Sequence, residues 1–154
     1  MSVRYIHTNI VARDAERLVA FYVEALDCEV AAPAREIAGD WLERGTGLPG
    51  AQIRGTHLRL PGHGEDGPTL ELFAMEGVVE QPRPAANHQG LMHLAFQVDD
   101  VRATLERLLA AGGGKLGEVA EVDMAGRGHL TTVYARDPEG NVIELLSLEP
   151  EAAG

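Results

Sequence analysis

The chain has a single cysteine, Cys28, and few basic side chains, 13 lysines and arginines against 24 acidic residues. One cysteine closes no internal disulfide, and no charged-then-apolar leader precedes Val3. Both features lead us to expect a cytoplasmic protein. Cys28 has no base paired with it in the sequence and reads as a small core residue. No apolar run approaches the roughly 18 residues that cross a bilayer. The formal charge of -11 repels phosphate backbones and anionic lipid surfaces alike, so nucleic acid and membrane are set aside as partners. The glycine clusters match neither a phosphate loop nor a dinucleotide fingerprint between a strand and a helix, which removes phosphate cradling. At 154 residues the chain can bury one core, or build two small modules that share one.

What the chain does contain is a repeat. "HTNIVARDAERLVAFYVEAL" from His7 lies on "HLAFQVDDVRATLERLLAAG" from His93, with His7 over His93 and Asp14 over Asp100 at the same offset of 86 positions. Each copy opens with a short apolar run of strand length. Asp14 in one copy and Asp99 or Asp100 in the other then supply the short acceptor that a helix N-terminus needs. Leu18, Phe21, Tyr22 and Ala25 follow at helical spacing, as do Val101, Leu105, Leu108 and Leu109. Three further strands are expected in each half: around 29–32, 52–60 and 69–75, then 115–124, 130–136 and 141–148. "DPEG" at Asp137 to Gly140 reads as a turn before the last of them. The pattern is β-α-β-β-β, twice. Residues 76–90 are proline-rich and aperiodic, a linker between a first module at 1–75 and a second at 91–148, within one domain over 1–154. "GTGLPG" and "GHGEDGP" read as loop growth in the first half.

The last strands of the halves carry the chemistry. "TLELF" sets Glu71 between Leu70 and Leu72, and "VIELL" sets Glu144 between Ile143 and Leu145. Alternation sends each glutamate to the face opposite its apolar neighbours. His7 and His93, at matching places near the start of each copy, are expected to converge with these carboxylates. Two imidazoles and two carboxylates suit a divalent transition metal rather than an all-oxygen calcium or magnesium cage. Two glutamates in one concavity also repel unless a cation or protons neutralise them. His57, His63, His88 and His129 have no counterpart in the opposite half. His63 and His88 read as solvated loop residues, and His129 with Arg127 as a loop that could line a substrate mouth.

At these residues the chain resembles the vicinal oxygen chelate superfamily, which includes glyoxalase I, methylmalonyl-CoA epimerase, extradiol dioxygenases, fosfomycin-resistance enzymes and bleomycin-binding proteins. The likeness spans nearly the whole chain and rests on "YIHTNIVARDAERLVAFY", "TLELF", "GLMHLAFQVDD" and, most specifically, "YARDPEGNVIELL". The resemblance implies an α+β fold of two βαβββ modules whose curved mixed sheets form a metal-binding cup. Its ligand positions are occupied here by His7, Glu71, His93 and Glu144. This His, Glu, His, Glu set looks most like that of glyoxalase I, whereas the epimerases usually carry glutamine at the place of Glu71.

The expected function is that of a metal-dependent isomerase or lyase that chelates vicinal oxygens of a small carbonyl substrate and stabilises an enediolate, with Glu144 or Glu71 moving the proton. The cofactor is a divalent ion: nickel, cobalt, zinc, manganese or iron. A non-catalytic ligand- or antibiotic-binding protein of the bleomycin-resistance kind and an extradiol-type dioxygenase are the alternatives. No basic residues are matched to a glutathione anchor, which leaves the substrate open. A homodimer is expected, because it covers sheet edges that one pair of modules leaves bare.

Overall fold

Two units make up the protein, whose computed structural model describes residues 2–150. The first extends to Gln81 apart from Glu24–Leu26, and the second takes those three residues together with the chain from Pro82 onward. No helix among the described residues is long and apolar enough to cross a membrane.

In chain order the first unit holds β1 (His7–Ala12), α1 (Ala15–Leu26), β2 (Glu29–Val30), β3 (Arg35–Ala38), α2 (Asp40–Thr46), β4 (Gln52–Arg59) and β5 (Thr69–Met75). Asp14 starts α1: its carboxylate accepts from the Arg17 backbone N–H at 3.0 Å, occupying one of the donors a helix N-terminus leaves unpaired. Leu18, Phe21, Tyr22 and Ala25 form the buried stripe of that helix, and each large side chain so buried contributes about 1.5–3 kcal/mol. α1 stops at Asp27, which takes a left-handed φ of 53° that aspartate tolerates better than most residues. In the sheet, β1 lies parallel to β5, β5 antiparallel to β4, and both β2 and β3 pair with β4. β2 lies against Leu58 and Arg59 and β3 against the stretch from Gln52 to Gly55. Together they are one edge strand, interrupted where Pro33 has no N–H to give the ladder.

The second unit repeats this with β6 (His93–Gln97), α3 (Val101–Ala110), β7 (Gly114–Lys115), β8 (Ala120–Met124), β9 (Gly128–Arg136) and β10 (Val142–Glu149). Of the two aspartates offered by the sequence, Asp100 is the cap: it accepts from the Ala103 N–H at 2.9 Å. β6 runs parallel to β10, β10 antiparallel to β9, and β7 and β8 share β9 as β2 and β3 share β4. The "DPEG" turn is held by Asp137. Its buried carboxylate accepts from the N–H groups of Glu139 and Asn141, each at 2.9 Å, and from the Asn141 side chain at 2.8 Å. Three donors offset the desolvation of that charge.

Both mixed sheets and both capped helices thus follow the expected pattern, with three local differences. β3 and α2 occupy a stretch with no predicted element, and the "GTGLPG" break begins as the last turn of α2. The strand expected at 115–124 is split in two, because Leu116 and Gly117 both donate to the Tyr134 carbonyl, at 3.2 and 3.0 Å, which breaks the regular ladder. His129 lies inside β9 rather than in a loop, since the turn to β8 is shorter than the glycines suggested.

Two tests follow from the packing. Gly55 crosses β5 so closely that a Cβ there would sit 2.2 Å from the Leu72 carbonyl oxygen and 2.3 Å from the Phe73 Cβ. Gly55→Ala should therefore cost about 1–3 kcal/mol, read as a lower urea midpoint at unchanged slope. Cys28 is buried, and burial, aided by the adjacent charge of Asp27, pushes its thiol up to about 12. At pH 8 it should resist iodoacetamide in the native protein and be alkylated once the chain is unfolded in urea.

Candidate functional site

The direction of the two glutamates is set by their neighbours. Leu70 and Leu72 on β5 are buried, as are Ile143 and Leu145 on β10, so Glu71 and Glu144 emerge on the opposite faces of their sheets. Their side chains are 19% and 17% exposed, shielded enough that each carboxylate must find partners within its own unit.

In the first unit Glu71 is contacted on both oxygens. The His7 Nε2 lies 3.5 Å from Oε2, and the Asn9 side chain donates to the same oxygen at 3.1 Å and to the Glu71 carbonyl at 3.3 Å. The parallel register explains this, since Asn9 faces Glu71 and His7 faces Thr69 two residues earlier. On the other side His57 sits directly opposite Glu71 in the β4–β5 ladder, its Nε2 3.1 Å from Oε1 and its Nδ1 hydrogen-bonded to the Thr69 hydroxyl at 2.9 Å. The rings of His7 and His57 meet edge to face, with centroids 5.4 Å apart.

The second unit repeats the division with different chemistry. His93 Nε2 lies 3.1 Å from Glu144 Oε2, and the Thr132 hydroxyl donates to Oε1 at 3.0 Å. Tyr134 takes the register position of His57: it faces Glu144 across β9–β10, and its ring meets that of His93 edge to face at 5.3 Å. Burial, then the negative charge of Glu144 and the hydrogen bond to it, raise the Tyr134 phenol above its usual 10. The phenol therefore stays protonated and serves as a donor. His93 Nδ1 lies 2.7 Å from the Met92 sulfur.

These separations bear on a metal. Two donors each about 2.1 Å from one ion are about 3.0 Å apart at a right angle and about 3.4 Å apart in a tetrahedron. The observed 3.1 and 3.5 Å of the His–Glu pairs are of that size. No group of three or more His, Cys, Asp or Glu side chains among the described residues is arranged to hold an ion. The structure presents the expected four residues as two pairs, one in each unit.

Four participants were not singled out from the sequence: His57, Asn9, Thr132 and Tyr134. Tyr134 was accessible through the short "DPEG" turn, which fixes the register with Glu144. His57 was not, because the nine residues 60–68 that join β4 and β5 leave their register open. His63 and His88 lie in loops and are exposed. His129 bonds Asp123 across the β8–β9 hairpin at 2.7 Å, and that hydrogen bond raises its pKa above 6.5. It takes no part in either pair. A cleft of about 420 Å³ lies on the other face of the first sheet, lined by Arg13, Glu16, Val19, Arg54, Thr56 and Leu72. Its arginines are engaged, Arg13 with Glu80 at 2.6 Å and Arg54 with Glu16 at 3.0 Å, and none of the site residues reaches it.

Comparison with known proteins agrees with this architecture. The family model described as Glyoxalase/Bleomycin resistance protein/Dioxygenase superfamily matches residues 4–145. A protein of Vibrio parahaemolyticus named "Probable lactoylglutathione lyase" is 26% identical over 153 residues, covering 98% of this chain and 95% of that one. Among solved structures, a glyoxalase family protein from Bacillus cereus aligns with a TM-score of 0.74 at 19% identity, over 95% of this chain and 93% of that one. The trypanothione-dependent glyoxalase I of Leishmania major aligns with a TM-score of 0.60 at 23% identity, over 95% and 87%.

Proposed function

We propose that this chain, which belongs to the Glyoxalase/Bleomycin resistance protein/Dioxygenase superfamily, is a metal-dependent lyase or isomerase of the glyoxalase type, acting on a small carbonyl substrate with two neighbouring oxygens. The observation that carries the reading is the matching His–Glu pair in each unit, with donor separations that suit the edge of a coordination polyhedron. The name of the Vibrio parahaemolyticus relative supports the reaction class and makes lactoylglutathione the first product to assay.

In this reading His7, Glu71, His93 and Glu144 are the ligands of one divalent ion, nickel, cobalt, zinc, manganese or iron, and they come from one chain or from two copies in a homodimer. Bound there, the ion supplies Lewis acidity toward two vicinal oxygens. The chain's own groups do the rest. Glu144 or Glu71 takes the proton beside the carbonyl and returns it to the neighbouring carbon, as base and then acid. For Glu144, the hydrogen bond from Thr132 to Oε1 leaves Oε2 as the oxygen directed at His93, and a base role for it requires that its hold on the ion loosen when substrate arrives. The Tyr134 phenol beside it, protonated at neutral pH, adds a donor without adding charge.

Metal-free protein should show no lactoylglutathione formation, and reconstitution with nickel, cobalt, zinc, manganese or iron should restore it with at least one of them. Equal, nonzero turnover with and without metal refutes the reading. Glu144→Gln removes one negative charge at nearly constant volume, so metal affinity should fall at least about tenfold. The metal-free variant should be as stable as the parent or more so, both read from calorimetry. For the origin of the ligands, mixing His7→Ala with His93→Ala protein should restore metal binding if they come from two chains, because subunit exchange then creates one intact set per heterodimer. Absence of restoration after demonstrated exchange assigns the set to a single chain.

A further inference from the structure

His57 lies outside the four residues assigned above, yet both of its ring nitrogens are engaged by one face of β5. Nδ1 is hydrogen-bonded to the Thr69 hydroxyl at 2.9 Å and Nε2 faces Glu71 Oε1 at 3.1 Å. Thr69 and Glu71 are two residues apart on the same strand and so share a face. The ring is spanned between them and cannot turn about its second side-chain torsion without giving up both contacts. This leaves the remaining carboxylate oxygen, Oε2, as the one that meets His7 and accepts from Asn9.

The second unit shows that the arrangement is specific. An aromatic ring occupies the same ladder position there, with the same edge-to-face contact to the first-strand histidine, but it is Tyr134, and the hydrogen-bond donor resolved on Oε1 is Thr132. The counterpart of Thr132 in β4 is Gly55, two residues before His57 as Thr132 is two before Tyr134. Gly55 has no side chain to offer. In the first unit the task of holding Oε1 therefore falls to His57.

We propose that His57 is the positioning residue of Glu71: it fixes Oε1 so that Oε2 is presented beside His7 as the metal-binding oxygen. The proposal rests on the metal-dependent reading given above. Second-shell partners of this kind commonly tune metal affinity by about 10–100-fold.

The test uses the full-length, metal-free protein titrated with cobalt(II) against a chromophoric chelator, with the visible absorption of the bound ion as a second readout. His57→Leu should weaken cobalt binding by about 10–100-fold and shift the visible bands. His57→Gln, whose amide reaches Oε1, should recover most of the affinity. In a Glu71→Ala background His57→Leu should have little further effect, since the carboxylate it positions is gone. A merely structural role would lower the melting temperature in both backgrounds and leave cobalt affinity and spectrum alone. A folded His57→Leu protein with wild-type affinity, or an equal loss in both backgrounds, overturns the proposal. If His57→Leu does not fold, His57→Gln against the shorter His57→Asn decides, and equal affinities of those two overturn it. Wild-type protein that binds none of cobalt, nickel, zinc, manganese and iron instead overturns the metal-dependent reading itself, which separates the two failures.

Discussion

Leu70 and Leu72 on β5, with Ile143 and Leu145 on β10, are exposed by 1% or less, and in a strand the burial of two alternate residues dictates where the residue between them points. A slip of one residue in either strand would expose two of these side chains, at about 1.5–3 kcal/mol each, and drive a carboxylate into the core at a cost of several more. That sum approaches the whole stability of a domain of this size, about 5–15 kcal/mol. The placement of Glu71 and Glu144 is therefore enforced by the core, independently of whatever they bind. Everything else at the two pairs is arranged around carboxylates whose direction is already decided.

The first-strand histidines are placed by a second constraint, the parallel pairing of β1 with β5 and of β6 with β10. Parallel register puts His7 against Thr69 and His93 against Val142, in each case two residues ahead of the glutamate. Histidine and glutamate thus share a face and meet diagonally across the ladder. The same constraint in both units yields the same pair, which is why the internal repeat is visible in geometry as well as in sequence. At the pairs the units diverge in what holds the outer oxygen, an imidazole on β4 in one and hydroxyls on β9 in the other, and in the residue facing the glutamate on the first strand, Asn9 in one and Ala95 in the other. Divergence of this kind is open to a protein whose half-sites are fixed by the sheets, because the third partner need only supply a donor at the right height.

Much of this was legible in the sequence. The offset of 86 positions identified both modules, Asp14 and Asp100 marked the helix starts, and the bounds of β5 fell on Thr69 and Met75 as expected. These features rest on short-range rules, a cap within three residues or an alternation over five. What escaped depends on longer range or on very short segments. β3 has four residues and α2 seven, too few for periodicity to declare itself. The interruption of each edge strand comes from local defects, Pro33 in one unit and the doubled donation at Leu116 and Gly117 in the other. His57 escaped for a different reason: its partner is chosen by the register across a nine-residue loop, and loops of that length impose none. An isolated histidine without a counterpart in the repeat was thus passed over, although the lack of a counterpart is what sets the first unit apart.

The pairs also show how shielded carboxylates can be compatible with folding. No buried side-chain nitrogen or oxygen among the described residues lacks a hydrogen-bond partner, and each glutamate is met by an imidazole and at least one neutral donor from its own unit. The core and the caps supply the folding energy, and the carboxylates are tolerated because they are met locally. In the metal-dependent reading proposed above, an ion held by these residues would not have to create order, as it does in a zinc finger. It would sit between an Nε2 and a carboxylate oxygen, with the Asn9 and Thr132 hydrogen bonds persisting beside it. On the proposals made above, the affinity for that ion is set by how well those neutral donors and His57 keep the oxygens where they already are, rather than by any rearrangement of the sheets.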